Sequence, residues 1–307
     1  MRTTNSRSRE PRIDSAAGAL PYVSMSHILR LFWPLALLVW AASGCAARAR
    51  SADDQAADTV RVLVYNIHAG KDASGADNLQ RVVSLIRETR ADLVLLQEVD
   101  QGTRRSGVID QPAVLSVGSG LHVAFGSALD YDGGKYGVAT LSRWPITFDT
   151  LYRLPVDPPQ ERAGGSREPR GLLRADVASP HGILAVFNTH IDASREDTWR
   201  EQEARVIVST IALTRRNNVR ILLGGDMNST PESTVQRIVR DVGLRDAFAE
   251  CGQGDGLTYP ADSAVKRIDY LYLSGTMGCA RGEVLANRAS DHRPFLIEVT
   301  LPRHDQP

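Results

Sequence analysis

Four kinds of feature are scarce in this 307-residue sequence, and three of the scarcities exclude something. There are three cysteines, too few for a disulfide scaffold, and none sits in a metal-type pair. Lysine is almost absent: Lys71, Lys135 and Lys266 stand alone among 36 basic residues, which we read as a codon bias toward Arg. Net charge is also missing, since 36 basic residues balance 36 acidic ones, so no strong polyanion-seeking field surrounds the chain. The apolar run 31–42 is 12 residues long and contains Pro34, whereas a membrane-spanning helix needs ~20 apolar residues. What is present is ordinary globular chemistry, 42% hydrophobic and 23% charged, which excludes a disordered or fibrous chain.

The N-terminus reads as a processing segment. Arg30 precedes the apolar run, which ends in small residues, the layout of a secretory signal peptide. Ala42-Ser43-Gly44-Cys45 resembles the bacterial lipoprotein cleavage box, with Ala42 where Leu is more usual. By that resemblance residues 1–44 are removed and Cys45 becomes a lipid-modified first residue; an ordinary signal peptide cut elsewhere is the alternative. Met25 could also be the true start. The expected product is exported and membrane-anchored, facing the periplasm or cell surface. Loss of 1–44 leaves three more acidic than basic residues, which weighs mildly against a protein that grips long DNA through its phosphates. Segment 45–59 has hardly any large apolar residue and reads as a tether, with a short tail at 304–307.

From Val60 onward, short apolar runs alternate with amphipathic stretches. Strands are expected at 60–66, 93–97, 137–142, 183–189, 220–225, 268–273 and 295–300. Helical stripes appear at Leu79, Val82, Val83, Ile86; at Ala204, Ile207, Val208, Ile211; and at Val235, Ile238, Val239, Val242. For the third, Thr230 is the expected cap, Pro231 suits the first turn and Gly243 the exit. The Pro- and Gly-rich stretch 155–170 is expected as a surface loop. With no repeat or long linker, one layered α/β domain over 60–303 follows.

Polar residues cluster at the ends of these strands: Asn66 and His68, Gln97-Glu98, His190 and Asp192, Asp226 and Asn228, then Asp269 and Ser290-Asp291-His292. Adjacent strands deliver such side chains to one edge of a sheet. With Tyr136-Gly137, Leu141-Ser142-Arg143 and Thr189, the set resembles the endonuclease/exonuclease/phosphatase superfamily, with seven motifs in family order over about 60–303. The resemblance implies a four-layered α/β/β/α sandwich, two mixed sheets packed face to face and flanked by helices. It also implies hydrolysis of phosphate esters, most readily diesters, in nucleic acid, nucleotides or phospholipid headgroups. A phosphomonoesterase of the same fold and a non-catalytic phosphate-binding envelope lipoprotein are the alternatives.

Phosphate-ester hydrolysis at neutral pH calls for charge neutralisation, an oriented water and a proton for the leaving oxygen. By the resemblance, Glu98 is the main metal ligand with Asn66 beside it, and Asp291 could complete a second metal site. Hard oxygen donors suit Mg²⁺ or Mn²⁺. Asp226 would orient or deprotonate the attacking water, Asn228 hold the phosphate, and His190 and His292 contact phosphoryl oxygens, with Asp269 fixing the tautomer of His292. His68, Tyr136, Asp192, Arg170 and Tyr259 complete the expected substrate-binding set. Four have a bland alternative: a strand cap for Asp192, buried core for the two tyrosines, a solvated charge for Arg170; His68 stands where several relatives carry Asp and could touch metal or phosphate. Arg104, Arg105 and Lys135 are weaker substrate candidates of the same kind. Cys251 and Cys279 flank the strand carrying Asp269 and could form a bridge or remain two buried thiols. A monomer is expected.

Overall fold

Alternation along one strand sets the layers. In β1 (Thr59–Asn66), Val60, Val62 and Val64 point into one apolar core while Leu63 and Tyr65 point into another, as successive side chains on a strand must. The computed structural model describes residues 59–163, 165–215 and 219–301. The expected signal segment 1–44, Cys45 and the rest of the tether through 58, and the tail 304–307 lie outside the described residues.

The strands that follow are β2 (Leu93–Gln101), β3 (His122–Tyr131), β4 (Gly134–Ser142), β5 (Ile146–Arg153), β6 (Gly171–Ser179) and β7 (Gly182–His190). Then come β8 (Arg220–Asp226), β9 (Arg245–Asp246), β10 (Gly252–Gln253), β11 (Asp269–Leu273), β12 (Gly278–Val284) and β13 (Phe295–Thr300). The helices are α1 (Leu79–Thr89), α2 (Gln111–Ser119), α3 (Thr198–Arg215), α4 (Thr234–Asp241) and α5 (Ala247–Cys251). One sheet runs β10-β12-β13-β1-β2-β4-β3 and the other β5-β6-β7-β8-β11-β9. Both are mixed, with parallel pairs β1–β2 and β7–β8 at their centres.

The inner core joins the sheets face to face through Val62, Val64, Leu93 and Leu95 on one side and Leu184, Val186, Leu222 and Leu271 on the other. On the outside, α1 and α2 cover the first sheet with Val82, Ile86 and Leu115. Helices α3 and α4 cover the second with Ile207, Ile211, Val235 and Val239. Full burial of each such Val, Leu or Ile contributes about 1.5–3 kcal/mol. The result is the expected α/β/β/α sandwich. Among the described residues no helix is long and apolar enough to cross a membrane.

The seven expected strands are present, with ends shifted by up to four residues. Strands β3, β5, β6, β9, β10 and β12 and helices α2 and α5 were not expected. Strands β3 and β5 are sheet edges; β3 buries only the small residues Ala124, Gly126 and Ala128, and β5 has no fully buried residue. Neither carries the apolar run that announces a central strand. The cap of α4 also differs. Ser233, not Thr230, accepts from the backbone N–H of Gln236, because Thr230 and Pro231 form a turn in which the Ser233 N–H donates to the Thr230 carbonyl. Cys251 and Cys279 are joined as a disulfide with Cα atoms 5.7 Å apart, tying the end of α5 to β12.

Candidate active site

The two parallel pairs aim their C-terminal ends at one edge of the sandwich. Asn66 lies opposite Gln97 in the first sheet; His190 lies opposite Asp226 in the second, and Asp226 opposite Asp269. Beneath them Gln97 and Asn188 lock the sheets together, Gln97 Nε2 donating to Asn188 Oδ1 at 2.7 Å. Asn188 in turn donates to the carbonyls of Leu96 and Ala139. A register shift in β2 between Leu96 and Val99 frees Glu98 from the ladder, and its φ of 56° is the local cost of turning that carboxylate outward. Gly225 has φ 140°, and a Cβ there would lie 1.8 Å from the Thr189 carbonyl oxygen. Only glycine allows β7 and β8 to deliver His190 and Asp226 side by side.

Asp226 is the hub of the site. Its Oδ2 accepts from Asn66 Nδ2 at 3.1 Å and lies 3.5 Å from His190 Nε2 and 3.6 Å from His292 Nε2. Its Oδ1 accepts from the Asn228 backbone N–H at 2.9 Å. Burial and the nearby Asp269 carboxylate push its pKa up to about 7, against the pull of His292. Burial pushes the His292 imidazole down, but Asp269 and Asp226 outweigh it and hold its pKa at about 10. Nδ1 of His292 is 2.9 Å from Asp269 Oδ2, so Nδ1 carries the proton given to that carboxylate.

The ligand atoms of Asp226, Asp269 and His292 lie within 4.8 Å of one another, close enough for one cation. Their hydrogen bonding assigns them otherwise, because the Nδ1–Asp269 bond fixes the ring and its high pKa favours the protonated form, which has no lone pair for a metal. Glu98 suits a cation better. It is half-buried at the cleft, accepts one bond from Asn66 Nδ2 at 3.1 Å, and has no salt-bridge partner among the described residues. Carboxylate and amide donors, with the two described cysteines tied up as a disulfide, fit Mg²⁺ or Mn²⁺ chemistry. Asn66 meets both Glu98 and Asp226 through its amide nitrogen, while its Oδ1 accepts one bond from the His68 backbone and keeps a second lone pair; it clamps two carboxylates.

A cleft of about 450 Å³ opens over this floor, lined by Glu98, Arg170, His190, Asp226, Asn228, Tyr259, Asp291 and His292 among others. Tyr259 leans on the His292 ring at 4.8 Å between centroids. His68 is half-exposed, with Nδ1 3.8 Å from Asp291 Oδ1. Three expectations need correction. Tyr136 is buried, packed under the Arg105 guanidinium 5.1 Å from its centroid, because β4 turns it inward. Asp192 is fully buried and organises the neighbouring loops, accepting from the backbone of Arg167 and Ser194. Arg170, expected on a surface loop, is 3% exposed, paired with buried Glu168 at 2.6 Å, and its Nη1 is 2.8 Å from His190 Nδ1. Arg104 and Arg105 are likewise engaged by Asp132 and Asp100, and Lys135 is exposed and absent from the cleft lining.

Some residues of the site had no sequence signal. Arg200 lines the cleft and donates to the carbonyls of Asp192 and Ser194. Glu203 on α3 accepts from the Asp192 backbone N–H at 2.7 Å, and burial pushes its pKa up to about 8. Both occupy helix positions that in sequence look like solvated charge.

Residues 63–292 match the Endonuclease/Exonuclease/phosphatase family model. The chain belongs to that family. It is a family of phosphoester hydrolases, which fixes the general chemistry of the cleft. The uncharacterized protein YbhP of Escherichia coli K12 is 23% identical over 252 residues, spanning 78% of this chain and 96% of YbhP. Among solved structures, an endonuclease/exonuclease/phosphatase from Beutenbergia cavernae matches with TM-score 0.68 and 22% identity, over 80% of this chain and 72% of that one. A mannosyl-6-phosphatase from Bacteroides thetaiotaomicron matches with TM-score 0.66 and 17% identity, over 79% of this chain and 100% of the other. At these identities the likeness to solved structures is one of fold.

Proposed function

We propose that this family member is a Mg²⁺- or Mn²⁺-dependent phosphodiesterase. The observation that carries the reading is Asp226, a buried carboxylate with a raised proton affinity, set between two imidazoles on the floor of a cleft that also holds Glu98. Oδ1 of Asp226 is held by the Asn228 backbone, and Oδ2, which accepts one bond from Asn66, keeps the capacity to orient a water and take its proton as the water oxygen bonds to phosphorus and the ester P–O bond breaks, the departing oxygen taking a proton from solvent. A base with a pKa near the working pH is the most effective one. His292, kept charged by Asp269, offers Nε2–H to a phosphoryl oxygen, and the amide of Asn228, whose Nδ2 lies 3.0 Å from His190 Nε2, would offer a second donor on giving up that contact. Glu98, with Asn66 and Asp291 as further candidates, would hold the metal, whose chemistry is to neutralise charge on the phosphoryl group.

The purified chain should be assayed with Mg²⁺ and Mn²⁺ against DNA, RNA, sphingomyelin, phosphatidylinositol and simple phosphate mono- and diesters. Turnover of a diester supports the reading. Turnover of monoesters alone supports the phosphomonoesterase alternative. No turnover of any of them favours the non-catalytic alternative.

The working address belongs to the same proposal. A lipid-bearing Cys45 would hold the domain, as a monomer, at a membrane outside the cytoplasm. The Cys251–Cys279 disulfide supports an oxidising compartment. Lipid headgroups and nucleotides met there are then as reachable as nucleic acid.

A further inference from the structure

The two histidines of the cleft are held by opposite chemistry. His292 has a carboxylate on Nδ1, whereas His190 has the guanidinium of Arg170 there, 2.8 Å away. A guanidinium has five donors and no acceptor. It cannot turn away, because Glu168 pairs with it at 2.6 Å and both side chains are buried. On the far side of the ring, Nε2 has Asn228 Nδ2 at 3.0 Å and Asp226 Oδ2 at 3.5 Å. Both ring nitrogens thus face donors, and a neutral imidazole has one acceptor. Nδ2 of the half-buried Asn228 also donates to the Ile191 carbonyl at 3.0 Å, and that bond can stay when the contact with Nε2 yields. Arg170 and Asn228 are donors, and the acceptor facing Nε2, Asp226 Oδ2, lies at 3.5 Å, so a phosphoryl oxygen in the cleft would supply a closer one.

We propose that Arg170 is a positioning residue that fixes His190 as the neutral imidazole with its proton on Nε2. His190 then serves as a standing hydrogen-bond donor to a phosphoryl oxygen, and neither gives up nor takes a proton during the reaction. The role toward phosphate rests on the reading of the cleft as a hydrolase site; the tautomer does not. Burial, the Arg170 cation and His292 all push the pKa of His190 well below the ordinary imidazole value, in keeping with a ring that stays neutral.

The test is two-bond ¹H–¹⁵N correlation NMR on the full chain labelled with ¹⁵N-histidine, with the His190 signals assigned by their loss in His190→Gln. The expected result is a bare Nδ1 and a protonated Nε2, unchanged across the range where free imidazole titrates, about pH 5.5–7.5. Added inorganic phosphate should shift Nε2 and leave Nδ1 in place. The double variant Glu168→Gln/Arg170→Met removes the donor without stranding a buried carboxylate, and should lose the single-tautomer pattern. Arg170→Lys, which keeps a donor, should retain it. A doubly protonated ring or an Nδ1–H signal in the wild type would overturn the proposal, as would a folded double variant with an unchanged pattern. Because the readout needs no turnover, an inactive protein with the expected tautomer would sink the hydrolase reading alone, and an active one with Nδ1–H would sink this proposal alone.

Discussion

His292 donates from Nδ1 to Oδ2 of Asp269 across 2.9 Å, with both side chains buried and the second Asp269 oxygen without a hydrogen-bond partner among the described residues. The pair sets which charge the imidazole carries. Asp269→Asn keeps the shape and removes that charge, so the pKa of His292 should fall from about 10. If protonated His292 is what acts, activity requires pH below that value, and the alkaline limb of the pH–rate profile should move to lower pH in the variant. Turnover at neutral pH should drop at least ~10²-fold, in the range of lost acid–base and electrostatic groups. Circular dichroism should stay native. A wild-type profile in Asp269→Asn would remove His292 from the mechanism.

Glu98→Gln and Asp226→Asn should each lower turnover by ~10²-fold or more, for different reasons. The first weakens metal binding, so excess Mg²⁺ should partly restore it, whereas the second removes the base and should resist any metal concentration. A chelator should abolish wild-type activity, with recovery in Mg²⁺ or Mn²⁺ and little in Ca²⁺, whose longer and looser coordination polarises phosphate less. Full activity in excess chelator would contradict a metal-dependent reaction.

Central strands and strand-end polar residues were legible because periodicity and position announce them: Val62 and Val64 alternate with Leu63 and Tyr65 to specify two cores, and Asn66, His190 and Asp226 end apolar runs. The edge strands β3 and β5 were silent because half-buried edges need no apolar run. The burial of Arg170 was silent for a related reason. A charged residue in a Pro- and Gly-rich stretch looks solvated until its partners are known, and Glu168 and His190 come together with it only after folding. Asp192 and Tyr136 show the same limit: the sequence puts them near the site, and only packing decides whether they face it.

Gly225→Ala should destabilise the domain by about 3 kcal/mol or more, since the new Cβ would sit inside the Thr189 carbonyl at an unfavourable φ. Gly254→Ala is the control: its φ is 80° but nothing lies within 4 Å of the added carbon, so it should cost only the backbone strain, about 1 kcal/mol. Urea midpoints of the two variants measure the difference. Equal midpoints would mean that the close approach of β7 and β8 is not needed to bring His190 and Asp226 together.

Cys45→Ser should move the protein from the membrane fraction to the soluble one while leaving specific activity intact. Stable anchoring needs two or more acyl chains, because a single chain binds marginally. A variant that remained membrane-bound would rule out the lipid anchor and point to an uncleaved apolar segment at 31–42.

Glu203 predicts how stability depends on pH. Burial, only partly offset by the Asp192 backbone N–H and by Arg170 and Arg200, raises its pKa from 4.5 to about 8 in the folded chain. Between those values the folded state holds a proton that the unfolded chain has released, so the site favours folding less and less as pH rises. The penalty is absent below the lower value and complete above the upper one. Glu203→Gln does not titrate, and its carbonyl can still accept from the Asp192 N–H. The variant should therefore match the wild type near pH 4 and exceed it near pH 9, by a margin on the order of a few kcal/mol, given about 1.4 kcal/mol per pKa unit. Urea unfolding across that range measures the margin. A gap that stays flat with pH would mean Glu203 is ionised in the folded protein as readily as in the unfolded chain, with Arg170 and Arg200 compensating its burial, and would remove the argument.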